Sequence, residues 1–101
     1  MDLTSEFNQI AQELNQLWRK IITDKGLVES GRLLNSINWV VKKEGNNYKL
    51  SMTSEDYYKY LDKDYGITKA ALATAEYLRI KERIAKIYAI MITSDIVNST
   101  K

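Results

Sequence analysis

The acidic residues of segment 54–66 (SEDYYKYLDKDYG) are the first candidates for chemistry, because carboxylates bind calcium and act as acids and bases. The stretch DKDYG at residues 62–66 shares alternating acids and a glycine with a calcium-binding loop. Its glycine comes one position early, however, and Ala73 stands where such a loop has its bidentate glutamate. Nothing in the sequence fixes two carboxylates at the separation that an acid–base pair needs. We therefore predict no metal site and interpret these acids as charges at helix ends.

The composition removes the most common catalytic groups. The chain of 101 residues contains no histidine and no cysteine, which excludes thiol nucleophiles, thiolate metal sites and the serine–histidine pairing of hydrolases. The segment KGLVESG at residues 25–31 lacks the Gly-Lys-Ser/Thr ending of a phosphate-binding loop. We predict no catalytic residues, no cofactor and no metal, and an enzyme that works through carboxylates, lysine or tyrosine is the least favoured alternative.

The basic residues give little support to nucleic-acid recognition. The formal net charge is only +2, which is small for a nucleic-acid-binding domain. Arg79, Arg83 and Lys86 step by four and three and therefore share one face of a helix, but acids such as Glu82 interrupt the run. A solvated helix face explains this pattern. Weak contact of these three side chains with a DNA backbone would need many aligned copies.

Tyrosines are concentrated in the same charged segment. Four of the seven tyrosines are Tyr57, Tyr58, Tyr60 and Tyr65. Tyrosine has a large apolar body and a polar tip, so it suits half-buried sites and is enriched at protein–protein interfaces. If a helix starts at Ser54, the first and third of these tyrosines fall on one face and the second and fourth on another. The first pair would then face the hairpin; covering the core and contacting a partner both stay open for these tyrosines, and one or two of the rings can do both.

Two long stretches of helical periodicity flank this segment. Apolar side chains recur every three or four residues over 3–21, which predicts an N-terminal helix capped by Asp2 or Thr4 and ended by Gly26. A second such pattern covers residues 70–91, and its far end is apolar on more than one side, which predicts contact with more than one neighbour. The predicted subunit interface therefore comprises Tyr57, Tyr58, Tyr60, Tyr65, Asp62, Gly66, Ile87 and Met91.

Alternating apolar residues between the two helices predict a β-hairpin. INWVVKKE (37–44) and NYKLSMTS (47–54) flank a Gly-Asn turn at residues 45–46, whose residue types tolerate positive φ. Odd-numbered side chains of the first strand then share one face. Short helices are predicted before and after the hairpin, with Ser30 and Ser54 as their caps.

The predicted fold class is α+β, with two long helices packed on a small antiparallel β-hairpin and short connecting helices. A chain of this length fits a single domain. The N-terminus lacks the basic and apolar regions of a signal peptide, and no uncharged run is long enough to span a bilayer, so we expect assembly inside a cell without a membrane. The predicted parts are the N-terminal helix (1–24), the short helix, hairpin and tyrosine-rich segment (30–68), the C-terminal helix (69–92) and a tail (93–101).

The order of these motifs resembles the tail-completion, or head–tail joining, proteins of tailed bacteriophages. In that family a Gly, Leu, Ser, Ile pattern leads into the hairpin, and a tyrosine-rich segment with an acid and a glycine follows it. ESGRLLNSINWVV (29–41) and YYKYLDKDYG (57–66) repeat this order here. The resemblance covers roughly residues 3–68; the spacing from acid to glycine is longer than usual, and the C-terminal helix is more prominent than the family leads one to expect. The matching residues are Ser30, Gly31, Leu33, Ser36, Ile37, Tyr57, Tyr60, Leu61, Asp62 and Gly66.

The resemblance implies a structural virion component without catalysis. Such proteins form a ring of about twelve or six copies in the neck between portal and tail, assembled in the host cytoplasm. The implied partners are further copies of the chain, portal-side adaptor proteins and tail proteins, while DNA passes through the channel without sequence-specific binding. A closing ring needs two different contact patches on each subunit. One patch would be the tyrosine-rich segment, with Tyr58 and Tyr65 carrying the contact.

Two further classes of function stay open at this stage. A small intracellular adaptor or regulator without catalytic activity would be a homodimer joined through the isoleucine-rich C-terminal helix, and it would be a stable dimer in solution. A nucleic-acid-binding module would use the basic helix face and would lose DNA affinity steeply as salt rises.

Overall fold

A computed structural model of the protein describes residues 2–27, 31–45 and 47–99, with side chains as far as residue 89. These residues form an α+β fold of five helices and one two-stranded antiparallel sheet, which confirms the predicted class. In the described part of the chain, no helix is both long and apolar enough to cross a bilayer. The elements are α1 (Thr4–Asp24), α2 (Arg32–Ser36), β1 (Asn38–Glu44), β2 (Asn47–Thr53), α3 (Tyr58–Tyr65), α4 (Ile67–Leu72) and α5 (Ala75–Ser99).

Helix α1 forms one layer of the core and follows the predicted apolar seam. Its start is held by Asp2, whose carboxylate accepts from the backbone N–H of Thr4 at 2.9 Å and from the hydroxyl of the same residue. These bonds lower the pKa of Asp2 to about 2. At the other end Gly26 has φ +72°, and its N–H donates to the carbonyl of Thr23 while Leu27 N–H donates to the carbonyl of Ile22. This is a Schellman ending, so the glycine is in the predicted left-handed conformation.

The hairpin has the register that its turn predicts. Glu44 pairs with Asn47, which leaves a two-residue loop, and Gly45 has φ +61°. Trp39 lies opposite Met52 on the face that packs against the core. The predicted alternation of side chains along β1 is therefore confirmed.

Aromatic side chains join the hairpin to α1. Phe7 stacks on Tyr48 with ring centroids 4.6 Å apart, and Trp18 meets Trp39 edge-on at 5.1 Å. The Tyr48 hydroxyl also accepts from the backbone N–H of Leu3 at 2.8 Å. Both long helices were predicted to pack on the hairpin, but α5 packs mainly along α1 and α4 and reaches β2 through a Tyr88 hydroxyl that donates to the Tyr48 carbonyl.

The C-terminal part differs from the prediction of one helix over 69–92 and a tail over 93–101. The chain turns at Ala73 and Thr74, so that α4 and α5 are separate helices, and α5 continues to Ser99. The Thr74 hydroxyl causes the new start, because it accepts from the backbone N–H of Tyr77 at 3.2 Å. A threonine side chain that caps the backbone thus interrupts a run of residues that favour a helix.

Two predicted serine caps have different outcomes. The Ser54 hydroxyl caps no helix, because it donates to the carbonyl of Glu55 and α3 begins only at Tyr58. Ser30 lies outside the described residues, and α2 follows Gly31, which has φ +69°.

Candidate interaction surface

Helices α3 and α4 meet at a tight corner around Gly66. This glycine has φ +63°; its N–H donates to the Asp62 carbonyl at 2.8 Å, and its carbonyl accepts from Ala70 N–H at 2.9 Å. The Asp62 carboxylate accepts from the backbone N–H of Thr68 at 2.6 Å and from its hydroxyl at 2.8 Å. Asp62 and Gly66, both predicted at a subunit interface, therefore fix the corner inside the chain.

Tyr58 is a core residue and not the outward contact that was predicted. Only 7 % of it is exposed, and its hydroxyl bonds to Trp18 Nε1 and to Thr68 Oγ1, each at 2.9 Å. Burial raises the pKa of this hydroxyl, and the nearby Asp62 carboxylate adds to the rise, against the opposite effect of the two hydrogen bonds. The helix starts four residues later than Ser54, and Tyr58 is the position that faces α1.

Tyr60 and Tyr65 lie on the outside of α3. They are 63 % and 49 % exposed, whereas Tyr57 is half-buried against the core. Tyr60 therefore does not cover the hairpin, its predicted interface role stays a prediction, and the outward position of Tyr65 agrees with its predicted face. The outer face of α3 is defined here by five exposed side chains: Lys59, Tyr60, Lys63, Asp64 and Tyr65.

A second surface feature is a groove of about 240 Å³ between α1 and α5, called here the α1–α5 groove. Its apolar floor is formed by the buried side chains of Leu17 and Ile80. Gln16 of α1 and Arg79 of α5 lie along its walls. Within the described residues neither side chain forms a hydrogen bond or an ion pair, although Arg79 lies close enough to Glu76 to help lower the pKa of that carboxyl.

Two ion pairs connect the walls of this groove. Lys20 Nζ lies 3.5 Å from the Glu76 carboxylate, and Arg83 Nη1 bonds to the Glu13 carboxylate. The pKa of Glu76 is lowered, first by a hydrogen bond to its own backbone N–H and then by Lys20. Because these groups are between about two-fifths and three-fifths exposed, each pair adds little to the stability of the fold.

The basic face predicted for DNA is therefore divided by the structure. Arg83 is paired with an acid of α1, whereas Arg79 and Lys86 are exposed. Of the two predicted interface residues on α5, Ile87 is half-buried against the core, and the side chain of Met91 lies outside the described residues.

The described side chains do not gather into a metal-binding cluster of three or more acidic ligands. Sequence reasoning missed two residues that fix the tyrosine-rich helix, Trp18 and Thr68. The spacing of Trp18, four residues after Leu14, places it on the apolar seam and is a signal that could have identified it. The two ion pairs between α1 and α5 had no local signal, because they depend on how the two helices pack.

Comparison with known proteins gives no relative. No family model, no curated protein and no solved structure matches this chain.

Proposed function

We propose that this chain is a structural virion protein of a tailed bacteriophage, and that copies of it form the neck ring that joins the portal side of the head to the tail. The observation that carries the proposal is the outward pair Tyr60 and Tyr65, 63 % and 49 % exposed on a helix anchored from its other side by Tyr58. The motif order of residues 29–66 supports the choice of family.

The outer face of α3 is rigid as well as exposed. Large aromatic side chains in water contribute little to the stability of the isolated subunit, but they are typical anchors of protein–protein interfaces. The corner at Gly66 and the Asp62–Thr68 bonds fix α3 before any partner binds. A surface that is already ordered loses less conformational entropy on assembly. The contact pair in this proposal is Tyr60 with Tyr65, since Tyr58 belongs to the core.

The test is genetic and uses a tailed phage that encodes this chain. The double variant Tyr60→Ala/Tyr65→Ala should fold normally and give heads and tails that stay unjoined in electron micrographs of lysates. Leu78→Ala is the matched control, because Leu78 is 54 % exposed on α5 and lies outside the tyrosine-rich helix. A wild-type yield of joined particles from the double variant would overturn the assignment.

The homodimeric adaptor is the alternative proposal, and sedimentation separates it from the first. An adaptor joined through α5 predicts a stable dimer at micromolar concentration. A neck subunit predicts a chain that is monomeric until it docks on its ring of partners, because each of its contacts alone is weak.

A further inference from the structure

We propose that the outer face of α3 in one copy docks into the α1–α5 groove of the next copy, with the Tyr60 ring on the groove floor and Asp64 on Arg79. This inference rests on the proposed function, since it names the two patches that a ring of identical subunits requires. The occupant of the groove is thus a second copy of this chain.

The size and lining of the groove suit one aromatic side chain. A cavity of about 150 Å³ accommodates benzene, so a groove of about 240 Å³ has room for a phenol ring. The floor residues Leu17 and Ile80 are only 5 % and 4 % exposed, so the aliphatic stems of the lining residues Lys20, Arg79 and Arg83 provide most of the apolar contact for that ring. The amide of Gln16 lies on the wall and is a hydrogen-bond partner for the tyrosine hydroxyl.

The net positive charge of the groove favours a docked aromatic ring that has an acidic side chain next to it. Its walls carry three cations and two acids, which leaves one positive charge. Lys20 and Arg83 are already paired with those acids, whereas Arg79 has only a longer-range attraction to Glu76 among the described residues. A guanidinium at the edge of an apolar groove binds a carboxylate well, because it offers two parallel donors.

The outer face of α3 carries the complementary arrangement. Asp64 follows Tyr60 by one helical turn, so its carboxylate projects about 6 Å farther along the same side of the helix. Asp56 lines the same surface depression as Tyr60 and adds a second carboxylate. Lys59 and Lys63 form the neighbouring row, with Lys59 Nζ 5.2 Å from the Tyr60 ring centroid. This face carries both acids and cations, so its net charge gives little attraction to the groove. Recognition therefore depends on the positions of individual charges relative to those of the groove.

The geometry of the pair makes the contact heterologous. The outer face of α3 and the α1–α5 groove share no residue, so a copy that donates its tyrosine still has a free groove for another neighbour. Contacts of this kind propagate from copy to copy and close into a ring when the rotation between subunits permits.

Disulfide trapping tests the contact, because the natural chain has no cysteine to interfere. The variants Lys63→Cys and Gln16→Cys, which keep Tyr60 and Asp64 in place, are mixed in equal amounts and oxidised. The expected product is the mixed dimer, formed at least about tenfold faster than in a mixture of Lys63→Cys with Asn8→Cys, an exposed α1 position outside the groove. Equal rates in the two mixtures would overturn the proposed contact.

A charge exchange tests the ion pair within the same assay. Arg79→Glu on the Gln16→Cys partner should slow mixed-dimer formation about fivefold or more, because it sets two acids against each other. Asp64→Arg on the Lys63→Cys partner should restore the rate. Failure of the second change to restore it would overturn the pairing of Asp64 with Arg79.

The neck function and the docking geometry are tested separately. If phage particles contain the chain but the mixed dimer does not form, the docking geometry is wrong and the neck function stands. If particles lack the chain, the neck function fails, whatever the outcome of the cross-linking.

Discussion

Tyr58→Phe tests the anchoring of α3 most sharply, because it removes one oxygen atom and leaves the ring. In the native protein this hydroxyl accepts from Trp18 Nε1 at 2.9 Å and bonds to Thr68 Oγ1 at the same distance. The residue is 7 % exposed and Trp18 is 2 % exposed, so water does not easily replace the lost partner. We expect a clear loss of stability.

The magnitude follows from the groups that lose a partner. Each hydrogen bond contributes about 0.5–1.5 kcal/mol net, and a buried donor left unsatisfied costs about 1–3 kcal/mol. The buried indole N–H of Trp18 is such a donor. Since these terms overlap, Tyr58→Phe should lower the free energy of unfolding by about 2–4 kcal/mol. Tyr60→Phe is the matched control and should change it by about 0.5 kcal/mol or less, because Tyr60 is exposed.

Urea denaturation followed by tryptophan fluorescence measures both variants, and a double-mutant cycle isolates the bond. In a Trp18→Phe background, Tyr58→Phe should cost at least about 1 kcal/mol less than in the natural chain, because the donor is already absent. Equal losses for Tyr58→Phe and Tyr60→Phe would refute the role given to the buried hydroxyl.

Three further predictions concern the same corner. Because the folded-state pKa of Tyr58 is raised, this residue contributes stability that is present below its unfolded pKa of about 10 and is lost as the pH rises further. The urea midpoint of the natural chain should therefore fall between about pH 9 and about pH 11, and that fall should be shallower in Tyr58→Phe. Equal slopes in the two proteins would contradict this. Asp62→Ala should lower the free energy of unfolding by about 1–2 kcal/mol, because it removes two hydrogen bonds to Thr68. Asp64→Ala should leave the free energy of unfolding nearly unchanged, and thermal unfolding measures both variants. Gly66→Ala should lower the free energy of unfolding by about 1 kcal/mol through the positive φ alone, since a Cβ at this position meets no atom within 4 Å. Gly66→Asn should lower it less in urea denaturation, because asparagine tolerates positive φ better than alanine. The reverse order of the two variants would argue against backbone strain.

The parts of the fold that were predictable are those fixed by local sequence. The apolar spacing of α1 determines which face is buried, and the two-residue turn with Gly45 determines the strand register. Each of these elements has one apolar side, so the pattern permits only one orientation. The end of α1 at Gly26 follows from glycine's tolerance of positive φ.

The orientation of α3 was not predictable in the same way. Tyrosines lie on both sides of this short helix, so hydropathy gives neither side precedence. What decides is a tertiary bond between Tyr58 and Trp18, forty residues earlier in the chain. The break at Thr74 was likewise hidden, because alanines on both sides favour a continuous helix and only the threonine hydroxyl marks a new start. The α1–α5 groove depends on helix packing and has no sequence pattern of its own.

The most direct test of the neck function is the amount of this chain in purified particles of a phage that encodes it. Quantitative mass spectrometry against the portal protein should give a fixed ratio of about one to one or about one to two, as stacked rings on a common axis require. The ratio should persist through density-gradient purification and high-salt washes. Absence of the chain from intact, infectious particles would contradict the account and would favour the intracellular adaptor.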